Sequence, residues 1–286
     1  MRQCCNAFIE YTTTFAEEYI RSKNNQNLMQ KLWILDIIIT IVAVVIGLEI
    51  VAASAHHAWF PHDQTYPGSI IAEEDLTLPI YIGFVVAYSC SQIIVCTLIG
   101  LHFLVVSSYM FVVTMIILPE FILGRKTGYN TRTCLRTFQK LPHSYRSLQL
   151  LHGAAMQLYG PMLVPFQTLC TNQILFCNFI LCTRWEETEI LHRVILIFWS
   201  VFTMLGWGEV LKFSGALYLD GQRTLTSWKH WKWGTRRENR YMKRFGRAAK
   251  PIRVHDGTCY TIRKLTVLKF FRGIVRGTFR MILIEK

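Results

Sequence analysis

Apolar residues fall in long unbroken blocks along this chain, not in the short alternating or one-sided stripes of a water-soluble domain. Leu32 to Ala55 contains only Asp36 and Glu49 as charges, and Leu78 to Leu118 contains none. Runs of about 18 or more apolar residues are long enough to cross a bilayer as helices. Two further blocks, 159–182 and 191–213, have the same character. The second carries Gly206 and Gly208 for close helix packing and Glu209 as its one acid. A fifth block, 265–284, is apolar but interrupted by Lys269, Arg272, Arg276 and Arg280. The pattern predicts an all-α polytopic membrane helix bundle, a single membrane domain of four spans plus one basic C-terminal helix.

The residues between the blocks orient them. His56 to Thr77 has Asp63, Glu73, Glu74 and Asp75 but no Lys or Arg, which places it outside. Pro119 to Ala155 carries Arg125, Lys126, Arg132, Arg136, Lys140 and Arg146 against Glu120 alone, and basic segments beside spans stay in the cytoplasm. An odd number of crossings must separate these two segments, so 78–118 reads as one helix. At 1.5 Å per residue it would run about 60 Å, roughly twice the hydrocarbon thickness. The excess projects into the cytoplasm, ends at Pro119, and needs apolar cover. Leu148, Leu151, Ala155 and Leu158, at helical spacing within 144–159, are the candidate cover.

The connection 183–193, with Glu186, Glu187 and Glu189, reads as a second outside loop. From 221 to 264 thirteen bases face only Glu238 and Asp256, which makes that stretch a basic cytoplasmic loop. The expected arrangement is multi-pass with a cytoplasmic N-terminus.

Composition agrees: 52% of the 286 residues are apolar and 17% charged, against about 25% charged in ordinary soluble domains. The formal charge of +13 sits on the predicted cytoplasmic segments, so it points to membrane lipid and not to nucleic acid. The first 31 residues lack the apolar core of a cleavable signal. Cys90, Cys96, Cys170 and Cys177 lie inside apolar blocks, where they act as small apolar residues.

No nucleophile, acid and base converge at a recognisable spacing, and no phosphate-binding or dinucleotide fingerprint occurs, so no enzyme, cofactor or metal is expected. His56, His57, His62 and Asp63 beside Glu73, Glu74 and Asp75 match no zinc spacing and read as a solvated polar loop. The cluster Trp228, Lys229, His230, Trp231, Lys232, Trp233 reads as indole rings at headgroup depth with bases on anionic lipid. Asp36 and Glu209 fall near the expected cytoplasmic ends of spans, where they either sit at the interface or face the bundle interior or a water path. Lys269, Arg272, Arg276 and Arg280, spaced by three and four, stack on one helix face. That helix is either a surface helix with Phe270, Phe271, Ile274, Val275 and Ile282 dipping into lipid, or a bundle helix lining a pore or an interface.

Short motifs in order add a resemblance. Tyr145-Arg146-Ser147-Leu148-Gln149 leads into a span, and Leu225-Thr226-Ser227-Trp228-Lys229 follows the next one. Ala249-Lys250-Pro251-Ile252 then precedes Gly257-Thr258-Cys259-Tyr260, and Thr278-Phe279 stands in the last helix. From Tyr145 onward this order resembles the C-terminal half of the arthropod odorant and gustatory chemoreceptor superfamily. There the final helix commonly carries Thr-Tyr. The family-like positions are Ser227, Trp228, Pro251, Gly257, Tyr260, Thr278 and Phe279.

The resemblance implies an inverted seven-span receptor whose last five spans correspond to the five blocks here, so that the chain would be a receptor shortened by two N-terminal spans. It implies four subunits, homo- or hetero-oligomeric, packed through cytoplasmic helix extensions. It further implies last helices lining a cation pore and a small organic ligand held among the spans. The four bases of the last helix depart from that pattern, because they would repel cations from a pore they faced. The alternative is a non-channel membrane scaffold, its basic loop binding anionic lipid or an acidic partner.

Overall fold

The computed structural model describes residues 2–21, 25–59, 77–125, 128–257 and 260–285. Seven α-helices make up nearly all of it: α1 (Arg2–Tyr19), α2 (Asn25–Trp59), α3 (Leu78–Phe111), α4 (Lys140–Thr183), α5 (Ile190–His230), α6 (Arg236–Ala248) and α7 (Thr266–Glu285). A two-residue hairpin, β1 (His255–Asp256) and β2 (Tyr260–Thr261), precedes α7 with His255 opposite Thr261. Four stretches among the described residues are long and apolar enough to cross a membrane: Leu28–Ala52, Leu78–Leu98, Leu104–Phe121 and Ile190–His230.

Two of those stretches lie on the segment expected as one long helix. Helical backbone does continue unbroken from Leu78 to Phe121, passing from α3 through a π turn (Val112–Ile117) into a 3-10 turn (Leu118–Phe121) that contains Pro119. The block 159–182, expected as a span, forms the second half of α4 but is not among the four. Pro161, Pro165, Gln167, Asn172, Gln173 and Asn178 dilute its apolar character. The block 265–284 is helical as expected, and its four bases keep it out of the same group.

The chain divides into two compact units, Gln30–Tyr109 and Met1–Met29 with Met110–Lys286. In the first unit the Tyr81 hydroxyl donates to the Ala58 carbonyl, and a Cβ at Gly100 would collide with Ile46. Val44, Leu48, Val51, Val86, Ile94 and Leu98 point outward uncovered. An apolar exterior of this extent suits lipid, not water.

The second unit holds the core. Its α1 was not anticipated from sequence, yet Phe15 and Tyr19, one turn apart, are buried and the Tyr11 hydroxyl donates to the Ser144 carbonyl. Main-chain bonds from Arg21 to Asn130 and from Arg132 to Tyr19 fix its end. Helix α4 merges the expected 144–159 helix and the following block into one rod. Leu148, Leu151 and Ala155 are buried as the spacing required, but Leu158 is not; Tyr159 takes the buried position beside it. The stretch 221–264 also departs from a loop. Helix α5 runs on to His230, and Thr235 and Glu238 cap α6 reciprocally, Thr235 Oγ1 accepting from the Glu238 amide at 3.2 Å. Such a box contributes about 1 kcal/mol and is readable as Thr-x-x-Glu.

Candidate functional site

The end of the 78–121 run is where apolar cover was expected, and there Val113, Ile117, Leu118 and Phe121 are fully buried. Phe121 meets Tyr145 of α4 edge-on at 5.9 Å, Tyr145 meets Trp228 of α5 at 5.0 Å, and Trp228 meets Phe245 of α6 at 5.9 Å. Trp228 is 2% exposed, and its indole Nε1 donates to the Phe121 carbonyl at 2.8 Å. Beside it Ser227 Oγ accepts from the Leu123 amide at 3.0 Å and donates to the Thr224 carbonyl at 2.7 Å. Trp233 is 8% exposed. The headgroup reading of this tryptophan cluster is therefore corrected: Trp228 and Trp233 are core residues, and only Trp231 among the three rings is exposed.

Next to this aromatic chain Glu120 is 2% exposed yet well partnered. Its carboxylate accepts from the Asn130 amide (3.1 Å), the Thr131 amide (3.2 Å) and Thr131 Oγ1 (2.8 Å), and also from Asn130 Nδ2 (3.3 Å); an Arg125 nitrogen stands 3.8 Å away. Bonds to a charged acceptor offset the cost of burying it. The Tyr129 ring lies 3.8 Å under the Arg136 guanidinium, tying the same segment together.

Residues 250–257 and 260–264 lie as a strap along α4 and α5. The Tyr145 hydroxyl donates to the Lys250 carbonyl at 3.1 Å and His152 Nε2 donates to the Arg253 carbonyl at 2.9 Å. Glycines receive its backbone: a Cβ at Gly160 would sit 2.9 Å from the His255 oxygen, one at Gly221 3.0 Å from the Ile252 nitrogen, and one at Gly215 3.0 Å from the Lys264 Cα. Ile252, Val254 and Ile262 of the strap are buried. Gly257, with φ +48°, turns the β1–β2 hairpin, and the Tyr260 hydroxyl donates to Gln167 Oε1 at 2.8 Å. Where the strap enters α7, an open cavity of about 880 Å³ lies between α4, α5 and α7.

Helix α7 packs by one face. Phe270 and Ile274 are buried, Phe271 lies against Gly208, and Gly277 against Leu175. Gly208 thus does permit the close approach read from the sequence. A polar relay joins three helices: Ser200 Oγ donates to Asn178 Oδ1 (2.6 Å), and Asn178 Nδ2 donates to Thr278 Oγ1 (3.3 Å). Arg272, Arg276 and Arg280 lie on the opposite, exposed face together with Phe279, which is 63% exposed, while Lys269, exposed as well, reaches the rim of the cavity.

The structure therefore gathers Ser227 and Trp228 into the aromatic core, Pro251, Gly257 and Tyr260 into the strap, and Thr278 into the relay. Phe279 and the four bases stand outside these groups. Asp36 and Glu209 are exposed, Glu209 accepting from Lys212 at 3.1 Å. Of the histidine and acid cluster, residues 60–76 and the side chains of His56 and His57 lie outside the described residues. No group of three or more metal-ligating side chains occurs among the described residues. Sequence reasoning missed Glu120, His152, Asn178 and Gln167. The signal for Gln167 and Asn178 was amides inside an apolar block, and for Glu120 an acid in an otherwise basic segment. No protein-family model matches the chain, and no curated protein matches it.

Proposed function

We propose that the chain is a chemosensory receptor-like membrane protein, a subunit of a ligand-gated ion channel in the plasma membrane, with its N-terminus cytoplasmic and a small organic molecule as ligand. The observation that carries this reading is the asymmetry of α7. One face docks on α4 and α5, while the other leaves Leu268, Val275, Phe279 and Leu283 bare between four bases. A face of that kind is shaped for further copies of the chain or a related subunit, as in receptors whose last helices meet around a pore. The buried end of the 78–121 run supports the same reading, because the resemblance calls for a packed anchor there. In such an assembly the bases belong at subunit seams or at headgroups, since a ring of cations in a narrow conduit would oppose cation flow.

The test is co-expression with a full-length receptor of the superfamily, followed by ligand-evoked current recording and native mass spectrometry. Tetramers with a current altered by this subunit are expected; a stable monomer with no effect on current would overturn the reading. A second reading, a scaffold for an acidic partner or anionic lipid, draws on α6, where Arg236, Arg237, Arg240, Lys243 and Arg244 are exposed. Neutralising Arg236, Arg237, Lys243 and Arg244 would abolish partner or liposome binding on that reading and leave any current unchanged.

A further inference from the structure

Several features were candidates for a site that neither reading assigns. Buried Glu120 and His152 have their partners within the fold. The cavity at the entry to α7 is different, because it is open and its charge is unbalanced. Arg263, Lys264 and Lys269 line it and no carboxylate does. Among the described residues none of these three makes an ion pair.

The three cations are held on a fixed frame. Ile262 is fully buried and its amide donates to the Val254 carbonyl at 3.1 Å, Gly215 of α5 abuts the backbone at Arg263 and Lys264, and Phe270 plugs the first turns of α7 into the bundle. Arg263 is also fixed through its amide, which donates to Thr266 Oγ1 at 3.0 Å. Neutral polar groups line the opposite wall. Gln167 presents its oxygen to the Tyr260 hydroxyl, so its amide nitrogen remains to donate; Thr171, one turn further along α4, donates to the Gln167 carbonyl at 2.8 Å and leaves its oxygen to accept. Helix α7 begins at this cavity, and the amides of a first helical turn favour negative charge.

We infer that this cavity binds a polyphosphorylated ring polyol, the chemistry of an inositol phosphate. Three cations call for more than one phosphate, and a volume of about 880 Å³ leaves room for a ring between them. The Gln167 amide nitrogen can donate to a ring hydroxyl, and the Tyr260 and Thr171 oxygens, whose own protons go to Gln167, can accept from ring hydroxyls. The ligand has two possible sources, a lipid headgroup or a soluble inositol phosphate. The site lies where the basic strap gives way to a helix with Leu268 and Val275 exposed, the depth at which a headgroup would meet it.

The test uses the full chain in nanodiscs. One arm measures retention of an inositol bisphosphate lipid over phosphatidylserine by native mass spectrometry; the other measures binding of soluble inositol trisphosphate by calorimetry. Retention of the bisphosphate lipid is expected to fall about tenfold or more in the triple variant Arg263→Gln, Lys264→Gln, Lys269→Gln. It should change less than about twofold in a charge-matched control at exposed bases outside both the cavity and α6, Arg146→Gln, Arg184→Gln, Lys212→Gln. Binding in the lipid arm alone identifies the headgroup as the source, and binding in the soluble arm identifies the free polyol. Absence of binding in both arms, or an equal loss in the control, would overturn the inference. Should the triple variant misfold, the exposed Lys269→Gln and the Tyr260→Phe variants carry the same comparison, each with a smaller expected loss.

Discussion

The indole of Trp228 and the carbonyl of Phe121, 107 residues apart, share a 2.8 Å hydrogen bond in a place closed to solvent. It fastens the last third of α5 to the 3-10 turn that ends at Phe121. Tyr145 and Phe245 pack on the indole from α4 and α6, so one side chain holds three connections.

Replacing Trp228 with Phe keeps much of the ring but strands a buried carbonyl, at a cost of about 1–3 kcal/mol. Trp228→Ala adds a cavity and should cost about 3–5 kcal/mol. Thermal unfolding in detergent should rank wild type above W228F and W228F above W228A; equal midpoints would place the indole outside the cooperative core.

Glu120→Gln exchanges an acceptor-only group for one that must point an amide at existing donors. With two backbone amides and a hydroxyl aimed at the carboxylate, the expected cost is about 1.5–3 kcal/mol. Limited proteolysis should then cut near 128–132 faster than in wild type, while cleavage in the Arg184–Glu189 turn stays unchanged.

His152 gives a pH dependence. Burial pushes its pKa down to about 4, against a weaker opposing effect of its bond to the Arg253 carbonyl. The folded chain therefore holds this ring neutral while the unfolded chain protonates it near pH 6.5. Stability from this group is full above about pH 6.5, falls as pH drops, and levels off below about pH 4. The whole loss is about 3 kcal/mol. Unfolding midpoints measured from pH 8 to pH 4 should decline less steeply in His152→Gln than in wild type.

Two glycines should respond in opposite directions. Gly215 faces the backbone of Arg263 and Lys264 at about 3 Å, so Gly215→Val should destabilise by about 1–3 kcal/mol and loosen the strap. Gly153 on α4 has open space where a methyl would stand, with no neighbouring atom within 4 Å, and Gly153→Ala should stabilise by about 1 kcal/mol. Thermal midpoints of the two variants should straddle that of wild type.

Much of the helical plan was legible because it rests on local facts. Uninterrupted apolar blocks, Pro119 at the end of the long run and the Leu148-Leu151-Ala155 spacing each lie within a few turns of chain; the Thr235-x-x-Glu238 box is as local, but sequence reasoning missed it inside a basic stretch that reads as a loop. What the sequence concealed depends on distant partners. Trp228 looks like an interfacial indole until Phe121, Tyr145 and Phe245 surround it. Helix α1 is polar enough to pass for a tail until Phe15 and Tyr19 find α4 and the 3-10 turn. The strap carries no strong pattern, because glycines of α4 and α5, far upstream, make its groove. The four bases of α7 were visible as a stripe, but their outward direction depends on Gly208 and Gly277 admitting the opposite face.

The glycine-lined groove also imposes an order on biogenesis. Gly160, Gly215 and Gly221 sit on helices that leave the ribosome before the strap they receive. Chains emerge N-terminal end first, so α4 and α5 must already lie side by side when 250–264 arrives. A substitution at any of these glycines would therefore act late, stalling nascent chains with α7 complete but undocked and its buried Phe270 and Ile274 turned out for quality control to recognise.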